Sequence, residues 1–178
     1  LLNRLDWQWR SHPYAPGERC VARTAVEFGD YPAEIFGPLL VGVPLCLVSA
    51  SAARDPVALA RVVADVGARR LLVVPSLLEL LLEPDRDGTA ISRMPGLQLL
   101  STSGEALPPT LVARLFSARP DLRLLNLYGS SETGADASVA ELSAARPHVT
   151  IGAALPNIGI HIVDDDLQPC PPGRVGQL

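Results

Sequence analysis

Eight consecutive residues, Asn126-Leu127-Tyr128-Gly129-Ser130-Ser131-Glu132-Thr133, bring together groups suited to holding a phosphorylated heterocycle. An amide offers both donor and acceptor to a base edge, and hydroxyls donate to phosphate oxygen. The phenol gives a flat ring with a polar tip, and the carboxylate suits a hard cation. A second segment, Ser101-Thr102-Ser103-Gly104-Glu105-Ala106-Leu107, is also rich in small and polar residues. Small side chains let backbone approach a ligand closely. Taken alone, each segment is also compatible with an ordinary polar loop, the second more so than the first.

Both segments follow short apolar runs, and the runs recur. Residues 45–48, 71–74, 97–100 and 122–127 read as strands whose onsets fall about 25 residues apart, with amphipathic stretches between most of them. Asp55-Pro56 opens a helix as N-cap and first helical residue. Val57, Ala60, Val63, Ala64 and Gly67 follow helical spacing, and Gly67 ends the helix. Ser76 and Glu79 form a capping box for a short helix through Leu82. Pro108-Pro109 starts another, reaching about Ala118, with Leu111, Leu115 and Phe116 on one side. This βαβ rhythm predicts an α/β fold with a mainly parallel sheet flanked by helices, and such sheets bind ligands at the carboxyl ends of their strands. A further strand is expected at 159–163. Asp164-Asp165-Asp166 then leads to a turn at Pro169-Cys170-Pro171-Pro172-Gly173.

The segment 126–133 resembles the N-x-Y-G-x-T-E motif of the adenylate-forming, or AMP-binding, superfamily. That superfamily includes acyl-CoA synthetases and the adenylation domains of nonribosomal peptide synthetases. Ser103-Gly104-Glu105-Ala106-Leu107-Pro108-Pro109 resembles its G-G-E-x-L segment, and Ile151-Gly152-Ala153-Ala154-Leu155-Pro156-Asn157 its I-G-x-P-x-x-N segment. Phe28-Gly29-Asp30-Tyr31-Pro32-Ala33-Glu34-Ile35-Phe36-Gly37-Pro38-Leu39-Leu40 is similar to F-D-x-S-x-x-E-I-F-x-x-L-L of amino-acid adenylation domains. The resemblance covers nearly the whole chain and places it in the large N-terminal domain of that fold.

The resemblance implies a ligase that activates a carboxylic acid, of the amino-acid kind, with ATP and Mg²⁺. The acyl-adenylate then passes to a thiol, either coenzyme A or the phosphopantetheine of a carrier-protein domain. Tyr128 would stack on adenine, Asn126 would meet its edge, and Gly104, Glu105, Ala106 and Gly129 would line the adenine and ribose side. Ser131, where the family more often has Thr, would donate to the α-phosphate, and Glu132 would hold Mg²⁺; these two form the expected catalytic pair. The acid pocket would comprise Gly29, Asp30, Ala33, Val73, Ser101, Ser103, Leu127, Ala135 and Asp136. Domains that activate α-amino acids usually carry Asp where this chain has Gly29. Asp30, one position later, and Asp136 are the carboxylates here, which suggests an amine-bearing acid of altered geometry such as a β-amino acid. The alternative for Asp30 is a plain helix cap.

Composition narrows the partners. A formal charge of −4 argues against nucleic acid or an anionic membrane. The greasiest stretch, 71–82, is broken by Pro75, Ser76 and Glu79 and falls short of the ~20 apolar residues of a span. Cys20, Cys46 and Cys170 are scattered and read as reduced, fitting a cytoplasmic protein. His12, His148 and His161 show no metal spacing, with His161 facing outward; Trp7 and Trp9 read as partly buried, and Glu34 and Phe36 as capping and packing residues. All 15 basic residues are Arg, so a mechanism that needs lysine must find it elsewhere. The expectation is one partial domain over 1–178, interior to an adenylation domain and inactive if isolated. The competing reading is a non-catalytic remnant with at most weak nucleotide or partner binding.

Overall fold

Apolar strands that alternate with helices bury both sheet faces only if the strands run parallel beneath the helices. The structure, a computed structural model, describes residues 1–86 and 88–178 and has that arrangement. In chain order the elements are α1 (Leu2–Ser11), β1 (Cys20–Ala22), α2 (Tyr31–Leu39), β2 (Leu45–Leu47), α3 (Pro56–Val66) and β3 (Arg70–Val73). There follow α4 (Pro75–Leu81), β4 (Pro84–Asp85), β5 (Gly88–Thr89), β6 (Leu99–Thr102), α5 (Pro109–Ala118), β7 (Arg123–Tyr128), β8 (Ser138–Leu142) and β9 (Ala153–Ala154). The main sheet has the order β3-β6-β7-β8-β9. Its first three strands are parallel, and β8 and β9 continue antiparallel. β1 and β2 form a separate parallel pair, and β4 and β5 a small hairpin.

Local punctuation accounts for most boundaries. The Asp55 carboxylate accepts from the Val57 and Ala58 amides, Pro56 needs no amide partner, and Gly67 stops α3 in the left-handed conformation at φ 68°. The buried stripe of α3 is Leu59, Ala60 and Val63, so Val57, Ala64 and Gly67, which share the spacing, face outward. α5 buries Leu111, Val112, Leu115 and Phe116, as its pattern requires. With Leu71, Leu100, Leu124, Leu78, Ile91 and Met94 these residues make one core between helices and sheet.

Three expectations change, and one helix appears that none of them covered. The Ser76–Glu79 capping box does not form: Val74 precedes α4 as its N-cap, and Ser76 bonds Glu105 instead. Residues 159–163 form no regular strand; Val163 makes isolated bridges to Pro169 and Gln177. Phe36 is exposed rather than packed. Trp7 and Trp9 lie on a helix, α1, whose periodicity the sequence reading missed; Trp7 is buried and Trp9 Nε1 donates to the Gly37 carbonyl. The outward His161 and the turn at Asp164, whose carboxylate accepts from the Asp166 and Gln168 amides, stand as expected. The three cysteines are free, and burial pushes the Cys20 thiol up to about 12. Among the described residues no helix is long and apolar enough to cross a membrane.

Leu100, fully buried in the central strand β6, sets the scale of the core. Leu100→Ala is expected to cost about 2–5 kcal/mol in urea melts, and Asp55→Ala about 1 kcal/mol through the lost cap.

Candidate active site

Parallel pairing sends the chain out of neighbouring strands at the same edge. In β6 and β7, Thr102 lies opposite Asn126, so 103–107 and 128–133 emerge side by side. Between them is a cavity of about 440 Å³ lined by Gly104, Glu105, Ala106, Leu107, Asn126, Leu127, Tyr128 and Gly129, with Val149, Thr150 and Ile151 closing it. Tyr128 is half-exposed, its ring available to a flat ligand. Asn126 is buried, and its Nδ2 donates to the Thr150 carbonyl at 2.8 Å, so the amide is held in a fixed orientation. The Glu105 carboxylate accepts from both the amide and the hydroxyl of Ser76, each at 2.9 Å; its side chain ties the segment to α4 while its backbone lines the cavity.

Gly129 is required by close approach. A Cβ there would stand 1.7 Å from the Ala135 carbonyl oxygen. Ala135 itself is at φ 87°, a left-handed conformation uncommon for alanine, and the tight crossing brings the next residue, Asp136, inward. Between these points runs a short 3₁₀ turn, Ser131–Thr133, closed by reciprocal bonds between Ser130 and Thr133. Ser131 and Glu132 stand exposed on this turn and do not line the cavity of Tyr128. A hydrogen bond from Ser130 holds the Glu132 carboxylate below its ordinary range. An exposed, ionised carboxylate suits Mg²⁺ shared with phosphate oxygens and water. No cluster of three or more His, Cys, Asp or Glu among the described residues could hold a metal by itself.

The residues expected to bind the acid fall into connected places. A second cavity, about 530 Å³, is lined by Phe28, Asp30, Val73, Ser103, Gly104 and Glu105 among others. Gly104 and Glu105 therefore form a wall common to both cavities. Asp30 also borders a narrow recess of about 70 Å³ with Ala33, Ser101 and Arg4. Gly29 packs on Ala135: a Cβ at Gly29 would meet the Ala135 Cβ at 3.4 Å. Leu127 faces the Tyr128 cavity rather than this one, and Asp136 is buried beneath.

Asp30 is not a helix cap in the ordinary sense. It precedes α2 in helical geometry, and its side chain makes no capping bond. Burial, then the neighbouring Asp136, push its carboxyl up to about 6, against a hydrogen bond from Ser103 and the charge of Arg4, with Glu34 raising it further. Glu34 serves the backbone, as expected of a structural residue, accepting from the Arg23 and Thr24 amides. One oxygen each of Asp30 and Asp136 is buried without a partner among the described residues. Arg4, which the sequence reading overlooked, answers Asp136: its Nε donates to Oδ2 at 2.5 Å, both side chains being almost fully buried. An arginine at the core-facing phase of an amphipathic segment containing Leu5 and Trp7 was the available signal.

Residues 17–178 match the family of AMP-binding enzymes. The chain belongs to that family. Among AMP-binding relatives, it is 33% identical over its whole length to the beta-alanyl-bioamine nonribosomal peptide synthetase ebony of Drosophila melanogaster, of which it covers 22%. It is 34% identical, again over its whole length, to the phosphinothricin tripeptide synthetase PhsB of Streptomyces viridochromogenes, covering 15%. Of solved structures, IdnL1 superposes with a TM-score of 0.84 at 26% identity, over 98% of this chain and 36% of that one. The chain thus spans about a fifth or less of the length of these two curated relatives.

Two outcomes follow from the geometry. Gly129→Ala would force the 135–136 peptide aside, and AMP affinity measured by calorimetry is expected to fall tenfold or more. Asp30 binds its proton more tightly folded than unfolded, so its ionisation costs stability as pH rises from about 4 to about 6. Asp30→Asn is therefore expected to raise the melting temperature at pH 7.5, by on the order of 2 kcal/mol in stability, and to have little effect near pH 4.

Proposed function

We propose that these residues form an interior stretch of one adenylation domain, in a ligase that activates an amine-bearing carboxylic acid with ATP. The observation that carries this reading is the wall of Gly104 and Glu105 common to two cavities. One cavity offers a ring and an amide to a nucleotide; the other offers the Asp30 carboxylate to an amine. Their shared wall is where the acid and the α-phosphate would meet, and positioning of this kind supplies much of the catalysis.

On this reading, Tyr128 and Asn126 hold adenine, and Gly104, Glu105, Ala106 and Gly129 shape its cavity. An oxygen of the substrate carboxylate attacks the α-phosphorus, and the bond to the bridging oxygen breaks so that pyrophosphate leaves with the electron pair. Ser131 would donate to the α-phosphate, and Glu132 would hold Mg²⁺, which would supply neutralisation of phosphate charge. A thiolate then displaces AMP from the mixed anhydride, giving a thioester. The names of the two relatives favour the phosphopantetheine thiol of a carrier domain over coenzyme A. The free cysteines suit the reducing cytoplasm.

Within the acid pocket, Gly29, Asp30, Ala33, Val73, Ser101, Ser103, Ala135 and Asp136 surround the substrate, with Leu127 on the nucleotide side. No carboxylate stands at Gly29, and Asp30 supplies it one residue later. That displacement suits a β-amino acid, as the β-alanyl in the name of ebony also suggests.

ATP–pyrophosphate exchange on the longest native product containing this chain tests the reading. β-Alanine is expected to support exchange at least tenfold better than α-alanine or propionate, and Asp30→Ala to abolish that preference. Exchange with no acid, despite nucleotide binding, would overturn it and leave a binding remnant.

A further inference from the structure

Asp30 lines the proposed amine pocket with Asp136 buried beneath it, and an ammonium needs only one carboxylate. Asp136 lies close enough to Asp30 to raise the cost of charge there, and each keeps a buried oxygen without a partner among the described residues. Asp136 is almost wholly inaccessible to solvent, at 1% exposure. Two uncompensated carboxylates in such a place would repel one another and draw either a proton or a doubly charged ligand.

Arg4 is held to prevent this. Its Nε donates to Asp136 Oδ2, its Nη1 donates to Gln8 Oε1 at 2.8 Å, and its guanidinium lies 4.7 Å from the centre of the Trp7 ring. Gln8 is itself steadied by Tyr14. Arg4, Gln8 and Trp7 all belong to α1, so this helix delivers one positive charge beside the pocket.

We infer that Arg4 is a specificity-determining positioning residue: by cancelling Asp136 it leaves the pocket one net negative charge, on Asp30, and thereby selects an acid with a single ammonium. This rests on the amine-activating function proposed above. The groups facing Asp30 are Asp136 and Ser103 from the two active-site segments, Arg4 from α1 and Glu34 from its own helix. Of these, Arg4 supplies the positive charge. The count is simple. Setting Glu34 aside as the acceptor of the Arg23 and Thr24 amides, Asp30, Asp136 and Arg4 sum to −1. Without the Asp136 charge, Arg4 turns to Asp30 and the sum is zero. Without the Arg4 charge it is −2. Without either it returns to −1.

Pyrophosphate exchange with β-alanine, propionate and 2,3-diaminopropanoate, in the longest native product, reads the count directly. Asp136→Asn is expected to raise the KM for β-alanine at least tenfold and to bring propionate within threefold of it. Arg4→Gln is expected to improve 2,3-diaminopropanoate relative to β-alanine at least tenfold. Arg4→Gln with Asp136→Asn is expected to bring the order of preference among the three acids back toward that of the wild type, relative to either single variant. The KM for ATP distinguishes this from general damage, which would move both.

If Arg4→Gln alone does not fold, the double variant, which does not leave Asp136 charged and unpaired, carries the test with Asp136→Asn. Loss of all acids in proportion, or a double variant no better than its parents, would overturn the inference. A wild-type enzyme that activates no amine-bearing acid would instead defeat the underlying function, so the two failures are separable.

Discussion

Backbone pairing between β6 and β7 is the constraint on which the site depends. Parallel strands in register must discharge their chains at one edge, and helices on both faces leave that edge as the place where loops can gather. Thr102 opposite Asn126 puts the two polar segments in contact without any attraction between them. The helices α3 and α5, by burying Leu59, Val63, Leu111 and Leu115, hold the sheet that makes this possible. The switch to antiparallel pairing at β8 is equally consequential. Reversal after β7 is what folds 129–137 back across the strand ends, with Gly129 and Ala135 in backbone contact at the crossing.

That crossing explains why the chain bears an alanine in left-handed geometry beside a glycine with no room for a side chain. An alanine at φ 87° is a local cost, and it persists because β8 and the 3₁₀ turn fix the peptides on either side. The result carries Asp136 inward while Ser131 and Glu132 remain on the solvent side.

Features set by neighbours in sequence were legible without coordinates. Asp55, Pro56 and Gly67 mark α3 because a cap, a missing amide and a left-handed stop each act within a turn. The strands 71–74, 97–100 and 122–127 were placed within about two residues because runs of Leu and Val there have no other use. The failures share one cause: a distant partner decided the outcome. Ser76 had a plausible partner in Glu79, but Glu105 offers two bonds across 29 residues and wins. Residues 159–163 are apolar enough for a strand, yet they pair through isolated bridges at Val163 instead of a continuous ladder. The stripe of α3 obeys helical spacing in two phases, and only the sheet beneath selects Leu59, Ala60 and Val63. The motif segments stand between these extremes: their residue types showed that a ligand was expected, while the sharing of Gly104 and Glu105 between cavities needed the fold.

The pairing of Arg4 with Asp136, 132 residues apart, is the furthest from what a sequence can disclose. Its physics also argues against a structural purpose. Burying a guanidinium and a carboxylate removes both from water, and their attraction returns about what that desolvation costs, so apolar residues of similar size would serve stability as well or better. A pair retained in spite of that equivalence, next to a third charge that it does not neutralise, is better understood as setting a local electrostatic balance than as holding α1 in place. Trp7 and Leu5 already bind α1 to the body of the protein through apolar contact. The proposed role of Arg4 is accordingly to set the charge that the pocket presents to its ligand.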